Sequence, residues 1–425
     1  MTRPPVLLAH KVRLYQTPEQ AEYFWQCMGA RRYTYNKLLE HFQKPGVKWS
    51  KKAAYAHFIK HVRQPWMDEL TSRAPRNAID DLDNAYQHFF RRCKLGEKPG
   101  YPQCHVKGVN DSFAIREFQK FEVFERSLRI EKCPGRIKLQ QEFRFVTDFK
   151  GVPNSVTIKE RAGKFYAAIV VDTRDYDKRG GSGAVGADFG INSLVALSTG
   201  EKLLANKKLK SNLKRLKRRS RILSRKKKQL KSKRRARAKL ALAKLHKRIA
   251  DQRAAILHEV SNMLTRRFGA IAIENLAVKN MVKNRRLARS IHDAGWGNLR
   301  RMIEYKAKAR GCTVVIAPRF YPSSKMCSCC KTINKTLKLS DRIFHCNSCG
   351  YEQDRDINAA INLLNYLLDY LPNLLRQDTL RPDVKCTQEL RKTSDLSEDL
   401  SEDLSDAAAL TACTDLMKGP HCEVL

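Results

Sequence analysis

Acid is what this sequence has least of relative to its counterpart. Asp and Glu number 43 against 83 Lys and Arg, a formal net charge of +40 over 425 residues. From Lys202 to Ala250 there is no acidic residue at all. Such a field repels itself unless a polyanion neutralises it, which points to nucleic acid and releases counterions at each phosphate contacted. A merely basic ribosomal-type protein and a membrane-surface protein are the other classes that this charge admits. Long apolar runs are also missing. No stretch approaches the ~20 residues that a membrane-spanning helix needs, so no membrane partner is expected. The opening Met1-Thr-Arg-Pro-Pro carries only a short apolar run, Val6 to Ala9, without the pattern of a signal peptide. A reducing, cytoplasmic setting is therefore expected, and the 13 cysteines, an odd number, read as thiols or metal ligands.

With 42% hydrophobic residues, most of the chain is expected to fold. Leu7 to Tyr15 reads as a strand. Thr17-Pro-Glu-Gln starts a helix, Thr17 as N-cap and Pro18 in the first helical position. A second helix is predicted near Arg76 to Arg92 from the stripe Ile79, Leu82, Tyr86, Phe89 and Phe90. These aromatics read as core, while Arg31, Arg32, Arg91 and Arg92 are candidates for a nucleic-acid face. Strands are expected at Ser112 to Ile115, Leu128 to Ile130 and Phe143 to Val146. A hairpin is expected from Val156 to Val171 around Arg161-Ala-Gly-Lys164. Residues 1–175 thus read as a β-rich body with a helical insertion, and Tyr176 to Gly183 as a linker. In the acid-free stretch, Leu209, Leu213, Leu216, Leu223 and Leu230 recur at roughly helical intervals, as do Leu242, Leu245, Ile249, Ile256 and Val260. A long basic helical hairpin follows, with one apolar seam and a charged exterior. Near the end, Ser394-Asp-Leu-Ser-Glu-Asp-Leu-Ser begins an acidic repeat expected to be mobile.

Two constellations carry chemistry. Cys327-Ser-Cys-Cys330 and Cys346-Asn-Ser-Cys349 are paired C-x2-C knuckles, and four soft thiolates at that spacing suit one tetrahedral Zn²⁺. Four protein ligands leave no place for substrate, so this zinc is structural. Gly350 admits the tight turn after the second knuckle, and Cys329 is a spare thiol. The second constellation is acidic. Asp188 lies in Ala184-Val-Gly-Ala-Asp, Glu274 ends Ala270-Ile-Ala-Ile-Glu, and Asp354 and Asp356 precede an apolar helix. A lone acid at a strand end is most often a cap or an ion-pair partner. Carboxylates gathered at the ends of buried strands instead hold two Mg²⁺ ions about 4 Å apart for phosphodiester hydrolysis. Spacing alone does not choose between Asp354 and Asp356.

Taken in order, several stretches resemble one family. They are His10-Lys-Val-Arg-Leu-Tyr-Gln-Thr-Pro-Glu-Gln, Gly186-Ala-Asp-Phe-Gly-Ile, Ile273-Glu-Asn-Leu, Asp293-Ala-Gly-Trp-Gly, Tyr305-Lys-Ala, Tyr321-Pro-Ser-Ser-Lys-Met-Cys and Asp354-Arg-Asp-Ile-Asn-Ala-Ala. The set is similar to the TnpB (OrfB) proteins of bacterial insertion sequences, relatives of the type V CRISPR nucleases. The resemblance implies an α+β multidomain chain. A wedge β-barrel would be built from residues 1–15 and 105–175, with a helical recognition insertion at 16–104. A RuvC-type, RNase H-like core would occupy 184–318 and 354–370, carrying the basic hairpin at 202–265. The zinc ribbon would be inserted at 319–353, and 371–425 would be the mobile tail. Asp188, Glu274 and Asp356 would form the catalytic triad, Asp356 being the acid two residues before Asn358. The partners would be a guide RNA from the mobile element and double-stranded target DNA with a flanking motif. Arg31, Arg32, Arg215, Arg218, Arg219 and Lys226 are the candidate nucleic-acid contacts. The setting would be prokaryotic and nucleoid-associated. Two alternatives stand beside this, a nuclease-inactive RNA-guided repressor and a small type V CRISPR effector. One departure concerns Lys331, which follows the first knuckle where the family usually has glycine.

Overall fold

The computed structural model describes residues 7–143, 152–172, 180–204, 208–226, 232–338 and 340–378. The acidic repeat, Leu230 and most of the strand expected at Phe143 to Val146 lie outside these. Among the described residues no helix is long and apolar enough to cross a membrane. The chain forms two compact units, Met1–Tyr176 and Asp177–Leu425.

The first unit begins with β1 (Leu7–Tyr15) and α1 (Pro18–Phe42). Thr17 and Gln20 cap α1 reciprocally: the Thr17 hydroxyl accepts from the Gln20 amide at 3.3 Å, and the Gln20 side chain accepts from the Thr17 amide at 3.1 Å. After α2 (Lys51–His57) and α3 (Arg73–Lys94) come β2 (Ser112–Ile115), β3 (Phe121–Val123), β4 (Ser127–Ile130) and β5 (Ile137–Leu139). The long hairpin β6 (Val152–Arg161) and β7 (Lys164–Asp172) completes it. The strands make one nearly closed, barrel-like sheet in the order β2-β6-β7-β1-β5-β4-β3. The start of α1 fills it, with Tyr23, Phe24, Cys27 and Met28 packed among Val12, Phe113, Ile158 and Ile169. The rest of α1 packs on α2 and α3 through Tyr35, Leu38, Leu39, Ala54, Ile79, Leu82 and Tyr86. Of the aromatics read as core on α3, Tyr86 is buried, Phe89 is half-buried and outside the core cluster, and Phe90 is exposed.

Arg31 and Arg32 have other work here. Arg31 donates to Asp81 at 2.6 Å and to the Ser112 carbonyl at 2.8 Å, while Arg32 pairs with the buried Asp111 at 3.1 Å. They tie α1 to α3 and to the barrel. A cation held by buried or half-buried partners is costly to redirect outward.

The second unit is built on a five-stranded sheet in the order β10-β9-β8-β11-β12. Its strands are β8 (Ala184–Asp188), β9 (Ser193–Leu197), β10 (Lys202–Leu204), β11 (Ala270–Glu274) and β12 (Thr313–Ala317). The first three are antiparallel, and β11 lies parallel to both β8 and β12. Between β10 and β11 run α4 (Lys208–Ser224) and α5 (Lys233–Arg267), the predicted basic hairpin. It starts at 208 and not at 202, because Lys202 to Leu204 pair with β9 as an edge strand. The half-buried Leu209, Leu213, Leu216 and Leu223 form its seam. Asp293, at the end of α6 to α7 (Val278–Met281 and Ala288–Ala294), caps the hairpin. Its buried carboxylate accepts from the amides of Leu209 and Lys210 at 2.9 and 3.2 Å. Lys306 of α8 (Trp296–Arg310) donates to the His258 carbonyl at 2.9 Å and to Ser261 at 2.6 Å, fastening α8 to α5.

One face of this sheet packs against α5 and α8 through Val185, Ala187, Ile271 and Ile273. The opposite face carries α9 (Arg355–Asp378), seated on Ala270, Ala272, Val315 and Ala317 through Leu363 and Leu367. Gly186 sets how close α9 comes. A Cβ at this position would collide with the Ala360 carbonyl and the Leu364 amide, backbone atoms that cannot swing aside. Gly186→Ala is therefore expected to destabilise the second unit by about 3 kcal/mol, the upper end of overpacking costs. Thermal unfolding checks this, and an unchanged melting temperature would contradict such close packing.

Candidate functional site

Side chains two apart on a strand share a face, so Asp188 projects toward α9 as Gly186 does. Ala184 packs with the Leu363 and Leu367 cluster while Gly186 lies against Ala360, so β8 runs opposite to α9. Moving two residues along β8, about 7 Å, matches one turn back along the helix, from Ala360 to Asp356. The parallel register pairs Ile273 with Ala187, so Glu274 ends β11 level with Asp188 and on the same face. Asp188, Glu274 and Asp356 thereby come to one edge of the sheet.

Their electrostatics agree with that placement. Lost solvation first, and then the negative charges of Glu274 and Asp356, push the Asp188 carboxyl up to about 8, against the opposing pull of Arg355 and the Phe189 amide. Burial also raises the Glu274 carboxyl. Two poorly solvated acids with a third beside them call for protons or cations to balance them. One cation comes from the chain itself, since the Lys202 ammonium lies 2.6 Å from Asp354 and 4.0 Å from Asp356. The set is looser than a closed cage: among the described residues only the four cysteines bring their ligand atoms within 4.8 Å of one another.

Asp354 and Asp356 do different things. The Asp354 carboxylate accepts from the amides of Asp356 at 3.0 Å and Ile357 at 3.2 Å, capping α9. Burial raises its carboxyl, but Lys202 and these amides outweigh that and hold it below the usual range. Asp356 makes no such cap.

Cys327, Cys330, Cys346 and Cys349 cluster as a set that can hold a metal such as zinc. The sulfurs of Cys327 and Cys349 lie 3.7 Å apart, and those of Cys330 and Cys346 3.5 Å. Four Zn–S bonds of about 2.3 Å in a tetrahedron require roughly 3.8 Å between sulfurs, so the cluster fits. Cys329 is exposed and outside the set. The two knuckles are built alike. The Lys331 amide donates to the Cys327 carbonyl at 3.0 Å, and the Gly350 amide to the Cys346 carbonyl at 2.9 Å. Both turn residues are left-handed, with φ of 62° and 70°. Lys331 keeps the turn at a cost of about 1 kcal/mol relative to glycine. The strands β13 (Ile343–His345) and β14 (Glu352–Asp354) pair and lead directly into α9.

Two buried asparagines of α9 fasten the first knuckle to the helix of the acids. The Asn358 side chain donates to the Met326 carbonyl at 2.8 Å and accepts from the Ser328 amide at 3.1 Å. Asn362 donates to the carbonyls of Ser323 at 2.8 Å and Met326 at 2.6 Å. Sequence singles out neither Lys202 nor Asn362, and marks Asn358 only as the landmark beside Asp356. The asparagines left a signal, two amides four residues apart on an otherwise apolar helix face; Lys202 left none within a lysine-rich stretch. Of the basic candidates, Arg215, Arg218 and Arg219 are exposed on α4, and Lys226 is half-buried just after it.

Residues 168–285 match a family model, OrfB_IS605, described as a probable transposase. Residues 1–44 match the helix-turn-helix domain model of the same group, and 296–363 match a Cas12f1-like TNB domain model. A Streptomyces pristinaespiralis protein, named as a candidate RNA-guided DNA endonuclease, is 34% identical over 364 residues, covering 84% of this chain and 88% of that one. The Escherichia coli K12 protein InsQ, named likewise, is 28% identical over 363 residues, 79% of this chain and 86% of that one. Among solved structures, the protein of a Cas12f1–sgRNA–target DNA complex shares the fold, with a TM-score of 0.51 at 14% identity over 85% of this chain and 99% of that one. The chain belongs to the TnpB (OrfB) family of insertion-sequence proteins.

Proposed function

We propose that this chain is an RNA-guided, divalent-metal-dependent endonuclease of a mobile element, cleaving double-stranded DNA beside a short flanking motif. The observation that carries the reading is the convergence of Asp188, Glu274 and Asp356 at one edge of the sheet. The names of the relatives agree with it. So does the mixed five-stranded sheet β10-β9-β8-β11-β12 with helices on both faces, which fits the α/β core that an RNase H-like reading implies. Asp188, Glu274 and Asp356 would hold Mg²⁺, and such ions activate water and neutralise charge developing on the phosphate. The chain's own part is to orient the three carboxylates and to keep Asp188 and Glu274 poorly solvated. β8 and β11 fix two of them and the Gly186 contact fixes the helix of the third. Lys202 holds Asp354 in its cap, leaving Asp356 for the metal. Zinc in the cysteine cluster would be structural, because four thiolates fill its coordination. The first unit would serve as wedge and recognition part. Arg215, Arg218, Arg219 and Lys226 would grip the guide–target hybrid by its phosphates, leaving sequence to base pairing. Arg31 and Arg32 are left out of that surface, being half-buried and paired with Asp81 and Asp111.

RNA should therefore copurify with the protein, and its complete removal by ribonuclease should abolish DNA cutting. Guide-independent cutting after such treatment would overturn the reading. The assignment of Asp356 has its own test. Asp356→Asn is expected to lose Mg²⁺-dependent cleavage. Asp354→Asn, which keeps one capping oxygen, is expected to retain a measurable rate and lose some thermal stability. The opposite pattern would make Asp354 the ligand.

A further inference from the structure

Phe320 is the most exposed large apolar side chain among the described residues, at 91%. A single exposed apolar side chain on a loose loop would need no explanation. This one sits on a loop tied down on both sides. The Tyr321 amide donates to the Pro318 carbonyl at 2.9 Å, closing a turn beneath Phe320, and the Ser323 and Met326 amides donate to the Tyr321 and Pro322 carbonyls. The Tyr321 hydroxyl donates to the Asn362 carbonyl at 3.1 Å, and its ring packs on Tyr366. The fully buried Asn362 holds the Ser323 and Met326 carbonyls from the helix side. Phe320 is thus held in water while its neighbour Tyr321 is folded inward against the helix.

Its position matters as much as its exposure. Ala317, the last residue of β12, pairs with Glu274. Phe320 follows three residues later, within about 11 Å of chain from that strand end. The loop therefore rises from the edge of the sheet where the carboxylates gather. Arg319, beside it, is exposed as well. No contiguous apolar surface accompanies Phe320 in sequence, since Arg319 is charged and Tyr321 is turned away. An aromatic face with an adjacent cation is instead what an unpaired nucleotide requires, base on ring and phosphate on guanidinium.

We propose that Phe320 is a stacking platform for a base of the single DNA strand delivered to the Asp188–Glu274–Asp356 site, with Arg319 meeting that strand's backbone. The inference rests on the nuclease reading and deepens it: the substrate at the carboxylates is an unpaired strand, and Phe320 positions it. Stacking on an aromatic ring typically changes affinity by about 5- to 100-fold per base.

The test uses the full-length protein with its RNA and an Asp188→Ala background that holds DNA without cutting it. A single-stranded oligonucleotide carrying the fluorescent base 2-aminopurine is titrated in, because stacking on an aromatic ring quenches that base. Quenching is expected with Phe320 and with Phe320→Trp. Phe320→Leu and Phe320→Ala should lose it and bind the strand about 5- to 100-fold more weakly. In the cleaving protein, Phe320→Ala should raise KM for the strand more than it lowers kcat, with the melting temperature unchanged. Equal quenching by Phe320→Ala, or binding by Phe320→Leu as tight as by Phe320→Trp, would overturn the proposal. Failure of the parent protein to cut DNA would count against the nuclease reading alone, since the quenching experiment decides stacking without cleavage.

Discussion

Replacing Asp188 with alanine is expected to lower Mg²⁺-dependent DNA cleavage by about four orders of magnitude or more, as removal of a central catalytic group does. Glu274→Ala should do the same. Guided DNA binding should remain nearly intact in both variants, because phosphates and base pairs supply that affinity. The two acids are expected to fail together, since they end neighbouring parallel strands in matched register and their fields already act on one another. Each substitution removes a charge from a crowded, poorly solvated spot, so the melting temperature should hold or rise. That separates loss of chemistry from loss of fold. Retained Mg²⁺-dependent cutting by either variant would remove that residue from the mechanism.

Cys346→Ser should have the second largest effect. Zinc content is expected to fall from about one ion per chain to near none, because a structural site couples binding to folding. Cys346 is buried beside Cys327 and Phe344 in the small core of the ribbon, which has little else to hold it together. The disturbance should not stay local. The first knuckle is bonded through Met326 and Ser328 to Asn358, two residues from Asp356, and through Ser323 and Met326 to Asn362. Cleavage should therefore fall below detection while RNA still copurifies. Zinc analysis, proteolysis of the ribbon and a cleavage assay on one preparation check this. Full activity with Cys327 and Cys346 both replaced would contradict it.

The cysteine knuckles, the strand around Asp188, the strand ending in Glu274 and the cap at Thr17 were all legible, because each is a local pattern of a few residues. The difference between Asp354 and Asp356 was not. Both precede the same helix, and only the amides that Asp354 accepts and the Lys202 ammonium from a distant strand separate their roles. Arg31 and Arg32 read from sequence as candidates for a nucleic-acid face. Their partners Asp81 and Asp111 lie far along the chain, where periodicity says nothing. Short strands such as β3 and β5 have too few residues to show alternation. Lys202 to Leu204 read as part of the basic hairpin because a three-residue edge strand has no signature against a lysine-rich background. The close approach of α9 to β8 rests on one glycine whose significance depends on Ala360, more than 170 residues later.

On the proposed function, a bound RNA would choose the DNA, and Asp188, Glu274 and Asp356 would cut it. The most direct measurement replaces the guide portion of the copurifying RNA and maps breaks in a plasmid library with randomised flanking sequence. Mg²⁺-dependent double-strand breaks are expected to move with the new guide, need a short flanking motif and vanish with Asp188→Ala. Breaks that ignore the guide, or that persist in Asp188→Ala, would contradict it.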